Sequence, residues 1–372
     1  MTVTHIVGAR PNFMKAAPVL AAIDARGIGQ RLVHTGQHYD RNMSEVFFDE
    51  LGIPKPDVNL GVGSGSHAAQ TAETMIQLEG EFMAHHPDLV VVYGDINSTV
   101  AATLVAAKLG IPIAHVEAGL RSRDRRMPEE VNRLITDQLA ALLFTPSVDG
   151  NENLVREGVD PEKVHLVGNV MIDTLVRLRP KAEATWDALA EAYGLAEGAY
   201  ILATLHRPST VDNARVLERV LETMGRLGTR APVLFPVHPR TRQRIADMGL
   251  SIPSGITLID PVGYLDFLSL QAHAQLVVTD SGGIQEETTY LGVPCLTVRE
   301  NTERPVTVTV GTNQLVGFDM DLLERLATRV LDGESVSGGQ PLLWEGRAGE
   351  RIASIVEAWL RERADLPDAE RA

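Results

Sequence analysis

Cysteine is almost absent from this sequence: Cys295 is the single one in 372 residues. That excludes a disulfide framework and any cysteine-rich zinc site. Its setting, Gly292-Val293-Pro294-Cys295-Leu296, reads as the entry to a buried strand and predicts an inert core thiol. Aromatic residues are also scarce, at 5% against 44% hydrophobic in all, so Ala, Val, Leu and Ile must fill the cores. Positive charge is short as well: 34 Lys and Arg against 49 Asp and Glu leave a formal charge of −15. A nucleic-acid backbone is normally met by a basic face, so no nucleic-acid partner is expected. A nucleotide stays possible, because a few local cations and backbone amides suffice to hold it. No apolar run approaches the ~20 residues that span a bilayer, so no membrane partner is expected. The N-terminus enters Val3-Thr4-His5-Ile6-Val7 without a basic segment ahead of a long apolar one, which predicts no signal peptide and a cytoplasmic protein. In that setting Asn97-Ser98-Thr99 is a chance match to the glycosylation pattern.

What is present is alternation. Short β-rich runs alternate with helical patterns, and the length suggests about two domains at ~150 residues each. Val3–Val7 precedes a helix from about Asn12 to Ala25, and Arg31–Thr35 is a second strand. Asp88–Tyr93 is a continuous apolar run, as in a strand covered on both faces. A helix over Ser98–Leu109 follows, then strands at Ile113–Val116, Phe144–Pro146 and Val164–Val167. Asp173–Ala192 interrupts the series with a polar, helix-prone stretch. Strands resume at Tyr200–Thr204, Val233–Val237, Ile256–Ile259, Gln275–Thr279 and Cys295–Val298. The pattern predicts two α/β domains with parallel sheets, residues 1–170 and 171–349, facing a cleft. The last helix, about Gly349–Glu362, can pack on either half, and the charged tail Arg363–Ala372 is expected to fray.

Ser281-Gly282-Gly283 follows the strand ending at Thr279-Asp280 and precedes a helix expected from about Ile284. A strand that turns through glycines into a helix gathers backbone N–H groups and the positive dipole end at one spot, which suits phosphate. The plain alternative is an ordinary βα turn. One turn into that helix, Gln285, Glu286 and Glu287 supply a carboxylate suited to ribose hydroxyls. Gly8-Ala9-Arg10-Pro11 repeats the device after the first strand, and Arg10 with Lys15 offers two cations to a diphosphate. No Walker-type loop and no Gly-x-Gly-x-x-Gly occur at these turns, which argues against ATP hydrolysis and against a nicotinamide cofactor. Gly61-Val62-Gly63-Ser64-Gly65 reads as a flexible loop.

Acids at strand ends carry the most information. Asp95 follows Tyr93-Gly94 and Glu117 follows Ile113–Val116, both at the carboxyl edge of one parallel sheet, where open α/β sheets place ligands. Glu129 and Glu130 follow Pro128 in a first helical turn, where pairing with the helix dipole is the plain reading, and a sufficient one for Glu130. Converging carboxylates suggest proton transfer, because like charges and burial push one pKa upward. A metal is the rival use, yet no nearby His/Asp pair has familiar ligand spacing, so no metal is expected. His206-Arg207 and His238-Pro239-Arg240 follow strands of the second half. A lone histidine is usually structural; two at strand ends beside a phosphate loop favour a functional His206.

Together these segments resemble the non-hydrolysing UDP-N-acetylglucosamine 2-epimerases. The likeness runs from Gly8-Ala9-Arg10-Pro11 to about Gly317, through Thr35-Gly36-Gln37-His38, Tyr93-Gly94-Asp95, His115–Arg121, Pro128-Glu129-Glu130, Asp280–Glu287 and Thr302-Glu303-Arg304-Pro305. The resemblance implies two Rossmann-like domains of the GT-B type, a homodimer, no redox cofactor and a UDP-sugar substrate. It implies that Arg10, Lys15, Ser281, Gly282, Gly283, Glu287 and Arg304 hold UDP, with Phe267 near the uracil. It implies that Asp95, Glu117, Glu129 and His206 surround the sugar and the departing diphosphate. Three segments depart from the family pattern: Ser209-Thr210 after the His-Arg pair, Val262 near the uracil, and Tyr39–Met43, where many members carry residues for a second, activating UDP-sugar. The last departure predicts hyperbolic kinetics and resembles relatives acting on UDP-2,3-diacetamido-glucuronate. The implied reaction is reversible inversion at carbon 2 of UDP-GlcNAc, giving UDP-ManNAc for cell-surface polysaccharide. A GT-B glycosyltransferase, a hydrolysing epimerase and a nucleotide-sugar sensor are the rivals.

Overall fold

The computed structural model describes residues 1–36, 51–336 and 338–365. The Tyr39–Met43 segment and the end of the charged tail therefore lie outside the described residues. The chain forms two units, one of Met1–Thr174 with the segment that begins at Leu342, the other of Leu175–Pro341.

The first unit is built on seven parallel strands: β1 (Thr2–Val7), β2 (Gly29–His34), β3 (Val58–Asn59), β4 (Leu89–Tyr93), β5 (Ile113–Val116), β6 (Leu142–Thr145) and β7 (Val164–Leu166). Their order is β3-β2-β1-β4-β5-β6-β7. The helices between them are α1 (Arg10–Asp24), α2 (His67–His85), α3 (Asn97–Lys108), α4 (Pro128–Leu139) and α5 (Val148–Arg156), with α6 (Val170–Glu183) carrying the chain across the unit boundary. The run Leu-Val-Val-Val-Tyr of β4 is buried along its whole length, because β1 and β5 flank it and helices cover both faces. Each such Val or Leu contributes roughly 1.5–3 kcal/mol relative to exposure. The apolar strands were legible for this reason; β3 was not, since two half-exposed residues carry no pattern.

The second unit holds six parallel strands, β8 (Ile201–Thr204), β9 (Val233–Pro236), β10 (Ile256–Ile259), β11 (Leu276–Thr279), β12 (Cys295–Thr297) and β13 (Asn313–Leu315), in the order β10-β9-β8-β11-β12-β13. Its helices are α7 (Trp186–Tyr193), α8 (Pro208–Val211), α9 (Ala214–Leu227), α10 (Pro239–Asp247), α11 (Tyr264–Ala272), α12 (Gly282–Leu291), α13 (Val306–Thr309) and α14 (Met320–Leu331). In α9, Leu217, Val220, Leu221, Met224 and Leu227 recur at helical spacing and are buried, while the Asn213 side chain caps the Val216 amide. Cys295 sits in β12 fully buried, and burial pushes its thiol up to about 11, which keeps it inert.

The final helix, α15 (Ala348–Ala364), belongs to the first unit and packs on α1. Its opening amides, Ala348 and Gly349, donate to the Asp173 carboxylate at 3.0 and 2.7 Å. Among the described residues no helix is long and apolar enough to cross a membrane.

Candidate active site

Parallel strands align their carboxyl ends, so the residues just after β1, β4 and β5 meet at one edge of the first sheet. Glu117 leaves β5 with φ of 73°, a left-handed conformation that costs a non-glycine residue energy and marks a constrained site. Its carboxylate is buried and ion-paired with Lys15 of α1. Lys15, expected to face a diphosphate, supplies the charge that makes a buried Glu117 tolerable. Gly94 permits this contact. It lies at φ 62°, and a Cβ there would sit 2.7 Å from Lys15 Nζ.

Asp95, next in the chain, is partly exposed and ion-paired with Arg133 of α4. Asn132 donates to the Asp95 carbonyl at 2.8 Å. Arg133 also pairs with Glu130 at 2.8 Å, and Glu130 accepts from the amides of Ser122 and Arg123, each at 2.9 Å. Burial works to raise the Glu130 carboxyl, but Arg133 and these amides outweigh it and hold it low. Glu130 is therefore an internal anchor, not a dipole partner alone. Glu129 stands half-buried beside it in the first turn of α4.

The first turn differs from expectation in one respect. The amides of Gly8 and Ala9 both donate to Asn12 Oδ1 at 3.2 Å, so they are taken up locally and are not open to a phosphate. Arg10 is exposed at the start of α1.

At the carboxyl edge of the second sheet, Asp280 follows β11 and is fully buried. It accepts from the amides of His206 and Arg207 at 3.1 and 2.9 Å, and pairs with His206 Nδ1 at 3.0 Å. Burial would raise Asp280, yet His206 and these amides hold it below the usual carboxylate range. The Nδ1–H bond leaves Nε2 as the outward nitrogen of a half-exposed ring. His238 caps α10, accepting from the Arg240 amide at 3.2 Å, which is the structural role of a lone histidine.

Ser281 and the two glycines lie at the start of α12, with Gly282 as its first residue, two positions earlier than the sequence suggests. The Ser281 side chain makes no cap, so the first amides of the helix point outward along the dipole. A Cβ on Gly282 would fall 2.6 Å from Arg304 Nη1, so glycine is what lets this guanidinium approach the turn. Arg304 pairs with Glu286 at 2.7 Å and with Glu303 at 2.5 Å. Arg299 pairs with Glu303 at 2.6 Å, and Arg207 lies 3.6 Å from it. Burial would raise Glu303, but Arg304, Arg299 and Arg207 hold it well below the ordinary range. Three guanidinium groups thus stand among three carboxylates, Glu286, Glu303 and Asp280, beside an open helix N-terminus whose amides and dipole suit an anion.

Glu287 is buried and accepts from the Tyr264 hydroxyl at 2.9 Å; burial, aided by Glu286, raises it to about 7 despite that bond. Phe267 is half-buried and packs against the cluster of Tyr200, Leu202, Leu234 and Leu270. Arg133, Asp137, Asp280, Arg299 and Glu303 were not singled out from sequence. Asp280 was within reach by the strand-end signal that found Asp95 and Glu117. The others lie on helices and loops, where nothing in the spacing marks a partner.

Known proteins resemble this chain along most of its length. Residues 21–357 match the family model described as UDP-N-acetylglucosamine 2-epimerase. The chain is similar to the UDP-N-acetylglucosamine 2-epimerase of Methanocaldococcus jannaschii, with 41% identity over 96% of this chain and 99% of the relative. It is similar also to the UDP-2,3-diacetamido-2,3-dideoxy-D-glucuronate 2-epimerase of Pseudomonas aeruginosa, 42% identical over 96% of this chain and 99% of the relative. Among solved structures, that of the M. jannaschii UDP-GlcNAc 2-epimerase in complex with UDP-GlcNAc and UDP matches with a TM-score of 0.88 and 41% identity, covering 96% of this chain and 100% of the other. A family model over most of the chain and relatives of this identity along their whole length lead to one assignment: this chain belongs to the UDP-N-acetylglucosamine 2-epimerase family.

Proposed function

We propose that the protein inverts carbon 2 of UDP-GlcNAc reversibly, giving UDP-ManNAc, a precursor for cell-surface polysaccharide. The observation that carries this reading is the division of chemistry: paired, constrained carboxylates at one sheet edge, and an open helix N-terminus among arginines at the other. The hydrogen on carbon 2 adjoins no carbonyl in the ring, so removing it alone is unfavourable. Elimination solves the problem. A base takes that proton while the bond from carbon 1 to the diphosphate oxygen breaks, giving 2-acetamidoglucal and UDP. UDP then re-adds to carbon 1 as a proton arrives at carbon 2 on the opposite face.

Asp95, Glu117 and Glu129 are the proton-transfer candidates, with Lys15 balancing Glu117 and Arg133 balancing Asp95. Ser281, Gly282, Gly283 and Arg304, joined by Arg10, hold the diphosphate, and His206, aimed by Asp280, supports it as it departs. Glu287 faces the ribose and Phe267 the uracil. Charge on the diphosphate is met by arginine and backbone amides, so binding needs no divalent metal. A homodimer belongs to this reading on the family resemblance alone.

Incubation with UDP-GlcNAc alone, followed by separation of products, tests the reading. UDP-ManNAc at equilibrium supports it; free ManNAc would indicate the hydrolysing variant, and no turnover here with turnover of UDP-2,3-diacetamido-glucuronate in a parallel incubation would move the substrate to that sugar. Calorimetric UDP binding that disappears on chelation would refute the metal-free site.

A further inference from the structure

Behind the first edge lies a buried ionisable pair that the proposed proton transfers do not use. His115, in β5, is fully buried, and both of its ring nitrogens are engaged. Nε2 lies 2.8 Å from the Gly94 carbonyl oxygen, and Nδ1 lies 2.6 Å from Asp137 Oδ1 of α4. A carbonyl can only accept, and so can an ionised carboxylate, so both bonds require a proton on each ring nitrogen. Asp137 has its own reasons to be ionised: its Oδ2 accepts from Arg121 Nη1 at 2.7 Å and from the Gly119 amide at 3.2 Å. Arg121 in turn meets Glu157 at 2.7 Å. The row of His115, Asp137, Arg121 and Glu157 alternates in sign and sums to zero, which is how buried charge is tolerated.

What the row holds in place is the Gly94 peptide. Gly94 sits at φ 62°, where a Cβ would lie 2.7 Å from Lys15 Nζ, and Asp95 follows it directly. A Cβ there would also lie 3.3 Å from Glu117 Oε2, so the packing leaves little play. Rotation of this peptide would displace Asp95 and loosen the Lys15–Glu117 pair together. His115 holds the carbonyl from behind, and it stands two residues before Glu117 on the same strand end. We propose that His115, kept as an imidazolium by Asp137, is a positioning residue that clamps the Gly94 carbonyl and so fixes Asp95 and Glu117 in mutual register. This inference rests on the epimerase reading above, but its first test does not.

Histidine-labelled, full-length protein at pH 7.5 gives that test by nitrogen NMR, with His115→Gln assigning the signal. The expected spectrum shows both His115 nitrogens protonated in wild type and one proton lost in Asp137→Asn. The second test is kinetic. His115→Gln keeps one N–H donor and should lower kcat about 10-fold, whereas His115→Leu keeps none and should lower it about 100-fold, since misplaced reacting groups lose rate on that order. In both, KM and UDP affinity should stay within about twofold, a split that mere loss of folded protein would not give. If His115→Leu does not fold, Asp137→Asn is judged by the same split. A neutral His115 ring in wild type would overturn the proposal. So would a folded His115→Leu variant with kcat within about twofold of wild type, or a loss seen in KM alone. Wild-type protein without epimerase activity would sink the underlying reading, and the positioning role with it, while the ring's protonation state would still be measured.

Discussion

At the carboxyl edge of the seven-stranded sheet, Glu117 has Lys15 beside it, and Asp95 and Glu130 share Arg133. At the same edge of the six-stranded sheet the charges match: Arg207, Arg299 and Arg304 lie among Glu303, Glu286 and Asp280, next to the first amides of α12. Both units use one architecture, parallel strands with their carboxyl ends aligned, and the backbone decides only where functional groups gather. The side chains decide the chemistry. In the first unit the acids outnumber the cations that pair with them, since Asp95 and Glu130 share Arg133. In the second, the charges match and the open first amides of α12 remain for an anion from outside.

Damage to one edge, read through the property assigned to the other, should produce the largest effect. Glu117→Gln and Asp95→Asn keep shape while removing basicity, and each should cost ~10²–10⁴-fold in turnover with UDP affinity little changed. Gly282→Ala should do the reverse to binding, weakening UDP because its Cβ meets Arg304 at 2.6 Å. Calorimetry and steady-state kinetics on the same preparations separate the two outcomes. A Glu117→Gln protein that no longer binds UDP would erase the division of labour.

A smaller but still large effect is expected on stability. Glu303→Gln removes the charge that three arginines share in a buried setting, and breaking a buried pair typically costs ~3–5 kcal/mol. Urea unfolding measures it. A change under ~1 kcal/mol would mean that water already screens this cluster.

The contrast also marks where sequence reasoning reaches. The strands were readable because β4 and its neighbours are buried on both faces and so are apolar throughout. Asp95, Glu117 and His206 were readable because each directly follows a strand. Their partners were not. Arg133 and Asp137 lie 38 and 22 residues from Asp95 and His115, on a helix whose buried face is polar. Amphipathic patterning expects the opposite, so only the first turn of α4, with acids at its positive end, stands out in the sequence. Likewise, nothing in the sequence joins Lys15 to Glu117, which the fold places against it. Pairing across elements is a tertiary fact, and one chain carries no period that announces it.

The smallest effect expected is a pH dependence confined to the second unit. Burial lifts the Glu287 carboxyl to about 7, above its unfolded value, so the folded state holds more protons across that window. Its contribution to stability is present below pH ~4.5 and is lost as pH rises through about 7. Unfolding free energy should therefore fall between pH 5 and 7.5 by more in wild type than in Glu287→Gln. Equal slopes would show that Tyr264 and Gln271 already carry the ionised form without cost.

The central claim is that carbon 2 loses its proton to a base while UDP departs, with the two edges supplying the two halves of that event. Epimerisation of UDP-GlcNAc in heavy water tests it most directly, with product and recovered substrate read by proton NMR and mass spectrometry. The account predicts UDP-ManNAc carrying one deuterium at carbon 2 from the first turnover. Product formed at the normal rate with no solvent deuterium at that carbon would contradict it.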